Sequence, residues 1–177
     1  QEFDYTVQVE STTRASLGGL MTYQVFEREE KQSKEGEVRL PPLPPMVEGA
    51  YSLYFDGAYK RASDKAAAGI VVFDDKGTKV FSLGQLLDSH SNNEAEYAAL
   101  TKGLQWCVSQ GVQRLNVFGD ALLLVRQVNG AWTCKNPSLR THLSGVKTLL
   151  GKFEEVQIHH IPRAQNQEAD ALASERL

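Results

Sequence analysis

Residues 91–106 read SNNEAEYAALTKGLQW. Alanine, leucine, lysine and glutamate favour a helix. Asn92 or Asn93 can cap its start, and Gly111 can close its end. On such a helix, residues three, four, seven and eight apart share a face. From Glu96 these neighbours are Ala99, Leu100, Gly103 and Leu104; from Glu94 they are Tyr97, Ala98, Thr101 and Lys102. Glu96 therefore falls on the apolar stripe that must pack against the rest of the domain. Glu94 falls on the wetter side, close to the positive helix N-terminus. A carboxylate on a core-facing stripe is costly unless it is protonated, paired or bound to metal. Glu96 needs partners from elsewhere in the chain.

Upstream, AYSLYFDGA (50–58) reads as a strand ending in an acidic turn. AAAGIVVFDDKGTKVFSLGQLL (66–87) reads as two strands around a DDKGT hairpin turn. Downstream, VQRLNVFGD (112–120) is a strand ending in acid, and ALLLVRQVNG (121–130) a short helix closed by Gly130. NPSLRTHLSGVKTLLGKF (136–153) is a helix with Pro137 in its first turn. EVQIHHIP (155–162) is a strand, and NQEADALASERL (166–177) begins a last helix. The order β-β-β-α-β-α-α-β-α predicts an α/β domain: an antiparallel meander extended by later strands into one mixed five-stranded sheet with helices on both faces.

The partners for Glu96 come from the same reading. Asp56 ends the first strand, Asp120 ends the fourth, and Asp170 sits in the first turn or so of the last helix. Strand ends and helix starts gather at one sheet edge, where sites form. Taken singly, each acid has an ordinary reading: Asp56-Gly57 as a turn, Asp120 as an N-cap, Asp170 as a surface residue. Their joint placement beside a buried Glu96 points to chemistry. Crowded carboxylates raise one another's pKa. A pair of hard divalent cations resolves the crowding, and oxygen-only ligands select magnesium, for which manganese can substitute. Two such ions about 4 Å apart activate water and stabilise the leaving oxygen in phosphodiester hydrolysis.

Residues 1–49 differ from the domain over 50–177 and are expected to form an N-terminal extension. FDYTVQVES (3–11) and LMTYQVFERE (20–29) are strand-like and could pair as a hairpin. The prolines of LPPLPPM (40–46) favour an extended tether. The chain has 177 residues and a net charge of −3, so bulk positive charge does not drive polyanion binding. It has no apolar run long enough to span a membrane, opens on no secretory signal pattern and lacks an initiator Met, which suggests a processed product, a polyprotein segment or a cut piece of a longer chain, with a free-standing cellular enzyme as the alternative. Cys107 and Cys134 have no metal-ligand spacing and read as reduced thiols, so an intracellular setting is expected.

YFDGA, NNEAEYAAL, VFGD with LLLVRQVNGAW, and HHIPRAQNQEADALA together resemble the type 1 ribonuclease H family. The nearest likeness is to its plant and archaeal-like branch, also found in retroelement polyproteins. The resemblance covers residues 50–177. It implies a ribonuclease H-like fold, with Asp56, Glu96, Asp120 and Asp170 as the metal-binding tetrad. It implies an RNA/DNA hybrid as substrate, with the RNA strand cut to leave 5′-phosphate and 3′-hydroxyl ends. It matches His160 to a mobile histidine that assists the water or product departure; His159 and His160 are adjacent on a strand and point opposite ways, so a plain surface histidine is the competing reading. It matches Asn92 and Asn93 to minor-groove contacts, and Gly57 and Ala58 to a turn whose backbone approaches the RNA. Trp132 could stack on nucleic acid or pack under its loop. The protein is expected to be monomeric, with a reverse transcriptase or another polyprotein domain as a possible neighbour.

The sequence also departs from the family. YKRASDKAAAG (59–69) replaces a Gly-Asn-Pro-Gly loop, leaving Lys60, Arg61 and Lys65 to compensate. Ala121 stands where a serine is common, so a capping or substrate hydroxyl is lost. These departures keep open an alternative: a catalytically weak ribonuclease H-fold module for nucleic-acid binding or assembly.

Overall fold

The computed structural model describes residues 46–177. The expected hairpin over 3–29 and most of the proline stretch lie outside the described residues. Among the described residues, five strands and four α-helices follow in the expected order. They are β1 (Tyr51–Lys60), β2 (Lys65–Phe73), β3 (Lys79–Leu87), α1 (Asn92–Ser109), β4 (Arg114–Gly119), α2 (Leu122–Val128), α3 (Pro137–Leu150), β5 (Glu155–His160) and α4 (Gln167–Ser174). A 3₁₀ turn at Arg163–Gln165 precedes α4. The strands form one sheet in the order β3-β2-β1-β4-β5. β1–β2 and β2–β3 are antiparallel hairpins, and β4 joins β1 in parallel after the α1 crossover. The Asp74–Thr78 turn between β2 and β3 places Gly77 at φ 83°, where glycine avoids a Cβ penalty.

Strand alternation shows which face each helix covers. Leu53, Phe55 and Gly57 share one face of β1, and a Cβ on Gly57 would run into the backbone of Ala95 and Glu96 in α1. Asp56 points the other way and pairs with Gly69 of β2. A Cβ on Gly69 would run into the backbone of Ala169 and Ala173 in α4. The two helices therefore lie on opposite faces, docked so closely that only glycine fits beneath them. The α1 face carries the main core, where Leu53, Phe55, Leu100, Leu104, Leu115 and Val117 are fully buried.

Three local expectations are corrected. β1 continues through Asp56 to Lys60, because its pairing with β2 outlasts its pairing with β4. Gly57 and Ala58 are therefore strand residues and not a turn. The cap of α1 is Ser91, whose hydroxyl accepts from the Glu94 backbone N–H at 3.1 Å; Asn92 and Asn93 lie exposed inside the first turn. Cys107 and Cys134 are free and buried. Among the described residues, no helix is long and apolar enough to cross a membrane.

Candidate active site

The parallel pairing of β1 with β4 stops at Tyr54 and Phe118. Asp56 and Asp120 each stand two residues beyond that last pair, at the same edge of the sheet. Glu96 reaches this edge from the first turns of α1. Glu96 is 5% exposed, and its Oε1 accepts from the Gly57 backbone N–H at 3.0 Å. The close approach that excludes a side chain at Gly57 is thus also what aims Glu96 at the strand. Asp56, Glu96 and Asp120 bring carboxylate oxygens within 4.8 Å of one another.

Asp170, in the first turn of α4, stands near enough to help raise the Asp56 carboxyl but lies outside the group of three. Its other neighbour is the Arg163 guanidinium, 3.8 Å away. The face assignment of the two glutamates holds. Glu94 is half-buried and takes no part in the cluster; it accepts from the His90 backbone N–H at 2.9 Å and from the Ser138 hydroxyl at 2.8 Å.

The electrostatics follow from burial and crowding. Burial, then the charges of Asp120 and Glu96, push Asp56 up to about 10. Burial and Asp120 push Glu96 up to about 8, against the opposing pull of the Gly57 N–H. Burial raises Asp120 to about 6, although Asn166 and Arg163 draw it down. The cluster is therefore short of positive charge. Its donors are all hard carboxylate oxygens, the set that suits magnesium or manganese. Asp56, Glu96 and Asp120 fit a divalent-cation site, and Asp170 flanks them without belonging to the group.

Asn166 was not anticipated from the sequence. It is 1% exposed, and its Nδ2 donates to the Phe55 carbonyl at 2.9 Å and lies 3.5 Å from Asp120 Oδ2. It ties the start of α4 to β1 beside the cluster. The remaining candidates are placed less directly. His159 is fully buried, and burial lowers it to about 3, so it is neutral near pH 7; His160 is half-buried at the end of β5. Trp132 is 45% exposed in the α2–α3 loop, with the Arg126 guanidinium 5.9 Å from its ring centre. Ala121 is the N-cap of α2 and makes no side-chain capping bond, as its lost hydroxyl implies.

A family model described as reverse transcriptase-like matches residues 54–176, which spans the whole sheet-edge site. The chain belongs to the type 1 ribonuclease H family. A ribonuclease HI of Halobacterium salinarum is 37% identical over 129 residues, covering 73% of this chain and 65% of that protein. The chain therefore spans less than two thirds of that ribonuclease H relative. The crystal structure of RNase H1 from Halobacterium salinarum NRC-1 is similar at TM-score 0.68 and 36% identity, covering 72% of this chain and 96% of that one. LC11-RNase H1 in complex with an RNA/DNA hybrid is similar at TM-score 0.65 and 27% identity, covering 71% and 94%. The five-stranded order found here is that of the ribonuclease H fold.

Proposed function

We propose that this chain is a magnesium-dependent ribonuclease H that hydrolyses the RNA strand of RNA/DNA hybrids by two-metal-ion catalysis. The observation that carries the reading is the convergence of Asp56, Glu96 and Asp120 within 4.8 Å at a sheet edge, with Asp170 beside Asp56. Support comes from the ribonuclease HI relative and from the hybrid bound to LC11-RNase H1. Asp56, Glu96, Asp120 and Asp170 would hold the cations. When bound, magnesium or manganese supplies Lewis-acid activation of the phosphate and of an attacking water.

The chain's own groups prepare that site. The Gly57 N–H fixes the Glu96 carboxylate, and Asn166 steadies Asp120 through its Nδ2. Asn92 and Asn93, exposed at the start of α1, are assigned to the minor groove of a hybrid, where 2′-hydroxyls distinguish RNA from DNA. His160 is assigned to water positioning or product departure, and Trp132 to stacking on the nucleic acid. A neighbouring reverse transcriptase or polyprotein domain is consistent with the reverse transcriptase-like family description.

The test is a hybrid labelled separately on each strand. The reading expects internal cuts in the RNA strand alone, leaving 5′-phosphate and 3′-hydroxyl ends. Cleavage of the DNA strand, or of single-stranded DNA in place of hybrid, overturns it. The second reading, a module that binds hybrid with little cleavage, draws on Ala121 and the replaced loop; a folded protein that binds hybrid in magnesium and never cuts it supports that module.

A further inference from the structure

The β1–β2 hairpin, where the chain departs from its family, carries a polar cluster that the cation site does not use. Its turn spans residues 61–64. Asp64 has φ 51°, the one positive φ at a non-glycine residue among the described residues. Two side chains hold it there. The Tyr59 hydroxyl donates to Asp64 Oδ1 at 2.7 Å, and His90 Nδ1 lies 3.1 Å from Asp64 Oδ2. His90 directly precedes the Ser91 cap, and its backbone N–H donates to Glu94 of α1 at 2.9 Å. The cluster therefore fastens the hairpin tip to the start of α1.

Stability does not explain this arrangement. The His90 and Asp64 side chains are 64% and 57% exposed. An exposed ion pair adds little to folding, while a left-handed conformation at a non-glycine residue carries a cost. What the contacts do determine is where the tip sits. That tip holds a second costly feature: Lys60 and Lys65 stand directly opposite each other, both exposed, with exposed Arg61 between them in the chain. Like charges directly across a hairpin repel, and an anion between them relieves the repulsion. In a chain of net charge −3, such a tip is where attraction to a polyanion can be concentrated.

We infer that a clasp of Tyr59, Asp64 and His90 positions the β1–β2 tip so that Lys60 and Lys65 bind backbone phosphates of the nucleic-acid substrate beside the start of α1. This rests on the hybrid reading above. The tip acts as a phosphate grip, and the clasp sets its distance from Asn92 and Asn93.

The test is anisotropy with a fluorescent RNA/DNA hybrid, in a D120N background that suppresses cutting, across a range of salt. The K60Q/K65Q pair is expected to flatten the slope of log affinity against log salt by roughly one to two, about 0.9 per lost phosphate contact. Asp64→Gly suits the left-handed turn, so its melting temperature should hold or rise, while affinity falls roughly five-fold through loss of the charged hydrogen bonds. Unchanged slope and affinity in both variants overturn the proposal. So does a fall in D64G affinity that is matched by a lower melting temperature, because the cluster is then only a prop for the fold. If the D120N parent itself fails to bind hybrid, the functional reading fails first, independently of the clasp.

Discussion

Glu94 and Glu96 are the same residue type two positions apart, and their surroundings separate them. Glu96 is buried, held by the Gly57 N–H and crowded by Asp56 and Asp120. Glu94 serves the helix start and a link to α3. Glu96→Gln is expected to lower hybrid turnover by at least about 100-fold, since losing even a partner of a metal ligand costs about 10–100-fold. Glu94→Gln keeps an acceptor oxygen and should leave turnover nearly unchanged. Comparable losses in steady-state assays of the two variants contradict the assignment. The same crowding sets a pH dependence. Asp56 and Glu96 are raised to about 10 and about 8, whereas unfolded carboxylates titrate near about 4. The folded, metal-free protein thus holds more protons than the unfolded chain, and this contribution is lost as pH rises towards the folded values. His159, lowered to about 3, is neutral in both states above pH of about 7, so it does not mask the trend there. Melting in EDTA should move down from pH 7 to 8.5, by roughly 2–4 °C for each kcal/mol lost. The drop should be smaller in Glu96→Gln and reversed by magnesium. A metal-free melting temperature that rises over this range contradicts it. Glu96 was legible because helical spacing alone puts it on the apolar stripe. Asn166 was not, because its partner, the Phe55 carbonyl, is 111 positions away and no local pattern marks it.

Elements meet at this site through glycines that let helices touch the sheet. Gly57 admits α1 against β1, and Gly69 admits α4 against β2. Gly57→Ala should cost about 1–3 kcal/mol by overpacking. It should also push α1 outward and carry Glu96 from its partners, so turnover should fall more than stability explains. Thermal melts paired with assays well below the melting temperature check this; full activity in a destabilised G57A protein contradicts the coupling. Element order and type were readable because hydrophobic periodicity switches cleanly between strand and helix. The end of β1 was less so: an acidic residue followed by glycine resembles a turn, and only the longer register with β2 carries the strand on to Lys60. The α1 cap was readable in principle. Ser91 and Glu94 have the spacing in which a serine caps the chain and a glutamate three residues later bonds back towards the turn. Asn92 and Asn93 are equally good capping types by composition and obscured it.

At the scale of the molecule, the mixed sheet is what turns three acids distant in sequence into neighbours, with a fourth beside them. The parallel addition of β4 beside β1 brings Asp120 to Asp56, α1 delivers Glu96 across the gap, and α4 brings Asp170 to the same edge. Each link could be anticipated from strand ends and helix starts, since connections in α/β sheets gather them on one edge. The roles proposed for His160 and Trp132 do not follow in this way, because a half-buried ring at a strand end and an exposed ring in a loop fit several partners equally well. The account's central claim is that this carboxylate edge holds divalent cations to cut the RNA of a hybrid. The most direct measurement is cleavage of a labelled RNA/DNA hybrid by the wild-type chain and by Asp120→Asn, each with magnesium and with EDTA. The account predicts cutting by the wild type in magnesium and by neither protein otherwise. Equal cutting in EDTA, or undiminished cutting by Asp120→Asn, contradicts it.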